Sequence, residues 1–490
     1  MGTNAVHFWD ISIWELVLAL AGIFLSCLVA NIFIKTIKPL RKLLIPSPVL
    51  GGFLFLIFLT VYKSLTGSSL IDTTTLEIIT YHTLGLGFVA SALKTNKKEK
   101  KSSQKDILNT SFFTVGGYAL QAIIGLTITI ALFFIMDGSV WPASGVLLPM
   151  GYGQGPGQAF TWGNTFSDAS LYTSIWGEFT DGSTFGLSIA AMGFISASIG
   201  GVIYLNAERR KGNKKMVEKS EEYIEKLTIE DYEQENEIPT SDSLDKHTVQ
   251  FGFVFVTYAI SFALIYGISY LCDLSGVNLL INTVKPLFWG FNFIFGVMVA
   301  SIGKLIYNKL RKKGVIKRQY TNNYMLDRIS GLMFDIMVVA AFGAINLEAF
   351  LNLSLIIPLL SITILGAVGT YFYCKHIAKK VYKDYSDEAF LSVYGMLTGT
   401  NATGIILLRE IDPKFKTPAC DNLVFQSIYS IAIGIPFLLS LGFVGQNWTK
   451  LLLCLLLYVV LFVGLYLLMR RDDFFKKKNK QAEANEAKAQ

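Results

Sequence analysis

Four histidines and five cysteines in 490 residues leave little material for metal or disulfide chemistry. Cys27, Cys272, Cys374, Cys420 and Cys454 lack the C-x-x-C spacing of zinc and redox sites, and most lie within or beside apolar runs, so there is no disulfide or zinc framework. Charge is scarce as well. Charged residues make up 16% of the chain against 52% hydrophobic, and a mean hydropathy of +0.47 excludes an ordinary water-soluble enzyme. No P-loop, nucleophile elbow or H-E-x-x-H segment occurs, so no motif supports catalysis and no cofactor is expected. The net charge of +7 lies in short basic runs between hydrophobic blocks, a pattern that argues against nucleic acid as a partner. The first hydrophobic block, from Ile11, has no basic region before it and no small-residue cleavage site after it, and reads as a retained span.

What is present is a series of apolar blocks, each near the ~20 residues needed to cross a bilayer. They fall near 11–34, 44–62, 70–93, 107–136, 182–205, 248–271, 286–307, 326–347, 354–373, 424–444 and 451–469, giving eleven expected spans. The Lys/Arg clusters at 35–42, 94–105, 209–246, 309–318, 375–383 and 470–480 alternate with these blocks so as to share one side. Only Lys63, Lys285 and Lys450, three of 43 basic residues, fall opposite. The positive-inside rule therefore predicts a multi-pass cell-membrane protein with the N-terminus outside and the C-terminus cytoplasmic.

Two apolar stretches are too broken to be spans. Residues 138–181 contain no Lys or Arg and include Pro149-Met-Gly-Tyr-Gly-Gln-Gly-Pro-Gly-Gln-Ala-Phe-Thr-Trp-Gly163, whose glycines and Pro156 oppose helix. The backbone there must be satisfied by protein, water or ligand. The expected form is a re-entrant hairpin over 139–165, entering from outside. A second stretch, Ala389 to Leu408, is polar at its centre and predicts a hairpin over 386–409 entering from the cytoplasm.

Opposed hairpins suggest an inverted repeat. Pro48, Gly52, Phe53 and Phe55 recur with identical spacing as Pro286, Gly290, Phe291 and Phe293. Tyr152-Gly153, Gly157 and Thr161 recur as Tyr394-Gly395, Gly399 and Thr403. The expected fold is an all-α polytopic membrane protein with two inverted five-span repeats, each with a re-entrant hairpin, plus a C-terminal eleventh span. The first repeat occupies 1–205, an acidic cytoplasmic linker 206–247, the second repeat 248–445, and the extra span with its basic tail 446–490. The start of that tail is placed against the anionic headgroups of the lipid bilayer.

Candidate site residues follow from the hairpins. Thr398, Thr400, Asn401 and Thr403 surround Gly399 and Gly404 with hydroxyls and an amide. Amides at a half-helix N-terminus suit a carboxylate, and freed carbonyls with hydroxyls suit a hard cation such as sodium. The competing reading is that the threonines back-bond to their own helix. Gly155 and Gly157 would contribute backbone, and Gln158 an amide. Arg409 is a partner for a second substrate carboxylate, an ordinary positive-inside anchor, or one half of a salt bridge to Asp412. Asp335 sits near the middle of the eighth expected span, where a charge is costly, and reads as a sodium ligand or as the partner of a buried donor such as Gln121 or Asn292. With Asp335, Thr400 and Asn401 complete the expected sodium set. Gln426 is a further polar candidate, His82 a candidate proton relay, and Trp162 either a gate or an interfacial anchor.

The run Ile45-Pro-Ser-Pro-Val-Leu-Gly-Gly52, the segment Gly155-Pro-Gly-Gln-Ala-Phe-Thr-Trp-Gly163, and Thr403-Gly-Ile-Ile-Leu-Leu-Arg-Glu-Ile-Asp-Pro413 resemble the bacterial sodium-glutamate symporter family, over roughly residues 11–445. The resemblance implies two inverted halves with re-entrant hairpins, sodium as coupling ion, import of glutamate or a related small anion, and a homodimer. Two features depart from that family. The first hairpin carries Gln154-Gly-Pro-Gly-Gln158 where the family has Gly-Gly-x-Gly and a small hydroxyl residue, and the eleventh span places the C-terminus inside.

Overall fold

The computed structural model describes residues 8, 13–94, 102–169, 172, 174–211, 245–278, 280–412 and 415–471. Most of the linker and the basic tail expected after the last span lie outside these residues.

All the regular structure among the described residues is helical. The principal helices are α1 (Glu15–Thr36), α2 (Ser47–Thr66), α3 (Thr73–Leu93), α4 (Gln104–Ile135), α5 (Leu147–Tyr152), α6 (Pro156–Ser167), α7 (Gly182–Arg210), α8 (Lys246–Ser275), α9 (Asn292–Lys312), α10 (Asn323–Gly343), α11 (Leu353–Val381), α12 (Ser386–Leu397), α13 (Asn401–Arg409), α14 (Ala419–Ser440) and α15 (Trp448–Met469). Helix is what such a sequence must form in an apolar setting, because it satisfies backbone groups within one segment. Side-chain caps mark several starts: Ser103, Asp245, Asn322, Asn352 and Asn447 each accept a hydrogen bond from an amide of the helix they precede.

Nine of these helices, α1 to α4, α7 to α9, α11 and α15, are long and apolar enough to cross a membrane, so the chain is a multi-span membrane protein. The count differs from the expected eleven at two places. The helix at the eighth expected span, α10, is 21 residues long but carries Asp327, Arg328 and Asp335, too much charge to cross unaided. The tenth expected span, α14, bends by 50° between Ser427 and Tyr429, and counting it as one broken span gives ten. Helix α10 packs its apolar face on protein, while its three charged residues lie on the exposed face. It lies antiparallel to α3: Asp327 pairs with Lys94 at 2.6 Å, and Ser330 Oγ donates to Gly87 O at 2.9 Å. Farther along, a β-carbon at Gly343 would meet Leu76 at 3.2 Å. Around this pair, Phe342, Phe55, Leu84 and Val89 form part of one continuous buried core.

The matched motifs at the second and seventh expected spans differ locally. Pro48 to Phe55 lie inside the unbroken α2, whereas Pro286 to Phe293 straddle a break: a short helix Lys285–Gly290 ends at Phe291 (φ −108°, ψ 29°) before α9 begins.

Helix α7 organises the centre. Its first half packs against α6, with Gly163 on Gly182 and Ala159 on Gly186 in backbone-to-backbone contact that leaves no room for a side chain on any of the three glycines. Its second half packs against α12: Tyr394 Oη donates to Ser196 O at 2.8 Å, and the Tyr204 ring stacks on Phe390 at 3.9 Å. One helix therefore carries both broken segments, one on each half.

Candidate functional site

The first broken segment runs beside α4 and then returns beside α7. Thr129 Oγ1 donates to Pro142 O at 2.7 Å, and eleven residues earlier on α4 Tyr118 Oη donates to Gly153 O at 3.3 Å, so residues 142–153 descend antiparallel to α4. The chain turns over Gly153 to Gly155 and comes back as α6. The turn depends on Gly155, whose φ of +86° and ψ of 178° is a conformation essentially confined to glycine.

The second segment enters from the other end of α7. Tyr204 Oη donates to Asp387 Oδ1 at 2.7 Å near the Arg210 end, and α12 then runs antiparallel to α7 until Thr398 O reaches Gly193. It breaks over Thr398 to Thr400 and returns as α13, with Gly404 lying against Ser392 and Gly395. The two turns meet. A β-carbon on Gly155 would stand 3.4 Å from Thr400 Cγ2 and 3.8 Å from Gly399 O. They meet beside Gly193, eleven residues or about 16 Å into the 29-residue α7.

At this junction the N-termini of α6 and α13 come together. The first amides of each helix have no acceptor within their own helix, and the aligned peptide dipoles place about half a positive charge at each end. Thr400 caps α13: its Oγ1 accepts from Thr403 N at 3.4 Å and lies 3.3 Å from Thr403 Oγ1. Thr398 and Thr403 are fully buried, and Thr398 Oγ1 donates back to Tyr394 O at 2.7 Å, the self-bonded arrangement that competes with ligation. Asn401 is exposed at the start of α13.

Gln158, the third residue of α6, is 1% exposed, and neither atom of its amide has a hydrogen-bond partner. It lies three residues past Gly155 in the first turn of α6. A buried polar group left unpaired costs about 1–3 kcal/mol, so Gln158 calls for a polar occupant. Trp162, one turn on, is fully buried with Nε1 also unpaired and its ring 5.1 Å from Phe291, a packed position rather than an interfacial one. Gly157 lies on another face of α6, where a β-carbon would meet Leu84 Cδ1 at 2.5 Å and Met337 Sδ at 2.9 Å.

Beside α6 is a cavity of about 330 Å³ lined by Tyr81, Phe160, Thr161, Asn164, Thr165 and Trp289. Phe160 and Thr161 follow Gly157 and Gln158 by one turn of α6, and none of the residues of the two turns lines the cavity. Of the lining residues only Thr161 stood out in the sequence; the others come together from three separate segments, which no local pattern reveals.

The structure thus gathers Gly155, Gly157, Gln158, Thr398, Gly399, Thr400, Asn401 and Thr403, and leaves two candidates apart. Arg409 is exposed at the far end of α13, its guanidinium 5.3 Å from the centre of the Phe415 ring. Asp412 is engaged by Lys416 N at 2.7 Å and by Thr417 N and Oγ1 at 2.8 and 2.6 Å. Asp335 lies on α10 two residues from Met337, about 200° around the helix from the face that meets Gly157. It is exposed, among Asp327, Arg328, Gly331 and Leu332 on the same open face. The polar candidates elsewhere serve as links. Gln121 Nε2 donates to Thr370 Oγ1 at 3.0 Å and to Leu397 O at 2.8 Å, which ties α4 to the end of α12. Asn292 Nδ2 donates to Trp289 O, Gln426 Nε2 to Met396 Sδ, and His82 Nδ1 lies 3.1 Å from Tyr258 Oη. Among the described residues no group of three or more His, Cys, Asp or Glu is placed to hold a metal ion.

Comparison of the chain with protein-family models, with curated proteins and with solved structures finds no match. The functional reading therefore rests on the residues themselves.

Proposed function

We propose that this chain is a secondary active transporter that carries a small carboxylate-bearing solute across the cell membrane by alternating access. The observation that carries the reading is the meeting of the α6 and α13 N-termini beside Gln158, whose buried amide has no partner. Two helix N-termini make a seat for a carboxylate without any cation, and paired broken helices are a recurrent way for carriers to hold solute and ion near the midplane. Gly155, Gly157 and Gln158 supply backbone amides and the side-chain amide, and Thr398, Gly399, Thr400, Asn401 and Thr403 form the opposing wall. No catalytic role is assigned to any residue.

The finer reading draws on the resemblance to sodium-glutamate symporters and on the matched motifs of an inverted repeat, with 1–205 and 248–445 as halves. It makes sodium the coupling ion and glutamate or a related anion the solute, imported by a homodimer in the inner membrane with its N-terminus outside. The ion then sits at Thr400, Asn401 and the free carbonyls of the two turns, and Asp335 acts from the far side of α10 as a separate ion-sensitive group.

The test is uptake of labelled glutamate by the purified protein in liposomes, with an imposed sodium gradient compared with an imposed proton gradient. Accumulation under sodium alone supports the finer reading, and accumulation under protons alone reassigns the coupling ion. Downhill flux at channel-like rates without either gradient would sink the transporter reading.

A further inference from the structure

We infer that the end of α9 and the loop after it form a seat for the headgroup of an anionic phospholipid. This is independent of what the protein carries. On α9 the exposed residues Met298, Ile302, Leu305 and Ile306 are followed by the exposed Lys309, Lys312 and Lys313 at spacings of three and four, which places all of them on one stripe of the helix. The opposite side faces protein. There Gly296 lies against Val89, Lys304 Nζ donates to Ala92 O at 2.8 Å and to Lys94 O at 2.9 Å, and the Tyr307 ring lies 6.3 Å from Phe253. Helix α9 is long and apolar enough to cross a membrane, so its exposed stripe is the one turned to lipid. That stripe changes from apolar to basic between Ile306 and Lys309. The three lysines lie about 4.5 to 10 Å past Ile306 at 1.5 Å per residue, against a headgroup layer of roughly 5–8 Å on each side of the hydrocarbon. They stand at the level of the lipid phosphates.

The local charge is one-sided. Six of the ten residues 309–318 are Lys or Arg and none is Asp or Glu. Lys309, Lys312 and Lys313 form no ion pair among the described residues. Of the acids at this end of the adjoining helices, Asp245 caps α8 through His247 N at 2.8 Å and Asp327 pairs with Lys94 at 2.6 Å. The loop is also held in place. The chain turns at Gly314 (φ +74°), Gly314 N donates to Arg311 O at 2.9 Å, Tyr320 N to Tyr307 Oη at 2.8 Å, and Arg311 Nη1 to Gln319 Oε1 at 3.0 Å. A seat fixed in advance loses little freedom when it is filled. Val315, 69% exposed at the tip, and the exposed Lys317 extend the same mixture of apolar and basic groups. Ammonium groups at this depth attract lipid phosphate, and the adjoining apolar stripe takes the acyl chains. That combination fits a phospholipid better than a soluble anion, which has nothing to lay along Leu305 and Ile306.

The full-length protein in a neutral detergent is titrated with phosphatidylglycerol, or with phosphatidylcholine of the same acyl chains. The readouts are the thermal midpoint and the lipids retained per molecule in native mass spectrometry. Retention and a raised midpoint are expected with phosphatidylglycerol alone. In the triple variant Lys309→Gln, Lys312→Gln, Lys313→Gln, the phosphatidylglycerol concentration giving half the shift should rise at least tenfold, while arginine at the same three positions should keep it within twofold. Removing equal charge by Lys35→Gln, Lys38→Gln and Lys42→Gln should change it less than threefold. Equal losses in the two glutamine triples would show a general effect of surface charge and overturn the inference, as would a parental response in the first triple or equal shifts from phosphatidylcholine. A shift of the same size from inorganic phosphate would assign the lysines to a soluble anion and overturn it too.

Discussion

Thr400 Cγ2 lies 3.4 Å from the point a β-carbon at Gly155 would occupy, so the tips of two hairpins entering from opposite ends of α7 touch at residues 245 positions apart. In Gly155→Ala a side chain is forced into a backbone conformation costing about 1–3 kcal/mol, while its β-carbon would only touch Thr400 at ordinary contact distance. We expect uptake to fall at least tenfold with a lowered thermal midpoint. Thr400→Ser, which keeps the capping hydroxyl and removes the methyl, should transport at near the parental rate, as measured by initial-rate uptake.

Gln158→Leu distinguishes a site from a packing defect. An amide with no partner at 1% exposure is a liability in the empty protein, so leucine should raise the thermal midpoint, by removal of a penalty of about 1–3 kcal/mol. The same change should abolish uptake. A variant that is both destabilised and active would show that water, not solute, satisfies the amide.

The Arg210 end of α7 is closed by Tyr204, which donates to Asp387 at 2.7 Å and stacks on Phe390. A hydrogen bond to a carboxylate is worth about 1.5–3 kcal/mol. Tyr204→Phe keeps the stack and loses the bond, and should loosen this closure. The readout is faster thiol labelling of a cysteine introduced at Ser196 in an otherwise cysteine-free background, compared with the same cysteine beside an intact Tyr204. Unchanged labelling would show that the bond does not hold the closure.

Glu410, just past α13, has its carboxyl raised above the usual glutamate range by burial, with Arg209 at 3.9 Å pulling it the other way. A raised acid is easier to protonate in the folded protein than in the unfolded one. Its favourable contribution is therefore complete below the ordinary value of 4.5 and is lost as pH rises through the raised folded value. Glu410→Gln should accordingly be the more thermally stable form at neutral pH, with the gap closing as pH falls toward 4.5. A gap that widens on acidification would mean the Arg209 pair dominates.

Asp335 stands apart from the junction, on the opposite side of α10 from Met337. In Asp335→Asn we expect the thermal shift produced by saturating solute to be retained and the sodium dependence of uptake to change. Loss of the solute shift would place Asp335 in the solute seat after all.

The sequence alone determined the helical membrane character, the positions of most spans and the existence of two interrupted segments. Those features depend on local composition: twenty apolar residues in a row, or Gly153, Gly155, Pro156 and Gly157 where a helix cannot run. It also marked Asp335 as exceptional, because a charge in an apolar run stands out without any structure. Eleven apolar blocks were expected, and nine or ten helices among the described residues are long and apolar enough to cross: α10 carries three charges and α14 is bent. Only the tertiary structure decided that the two turns meet, that α7 carries both, that Gln158 is buried without a partner, and that Arg409 and Asp335 face elsewhere. Those outcomes rest on contacts between segments far apart in the chain, such as Gly155 with Thr400 and Gly163 with Gly182. The energy of such contacts lies in close packing and in which way a helix face turns, neither of which is encoded at any single position.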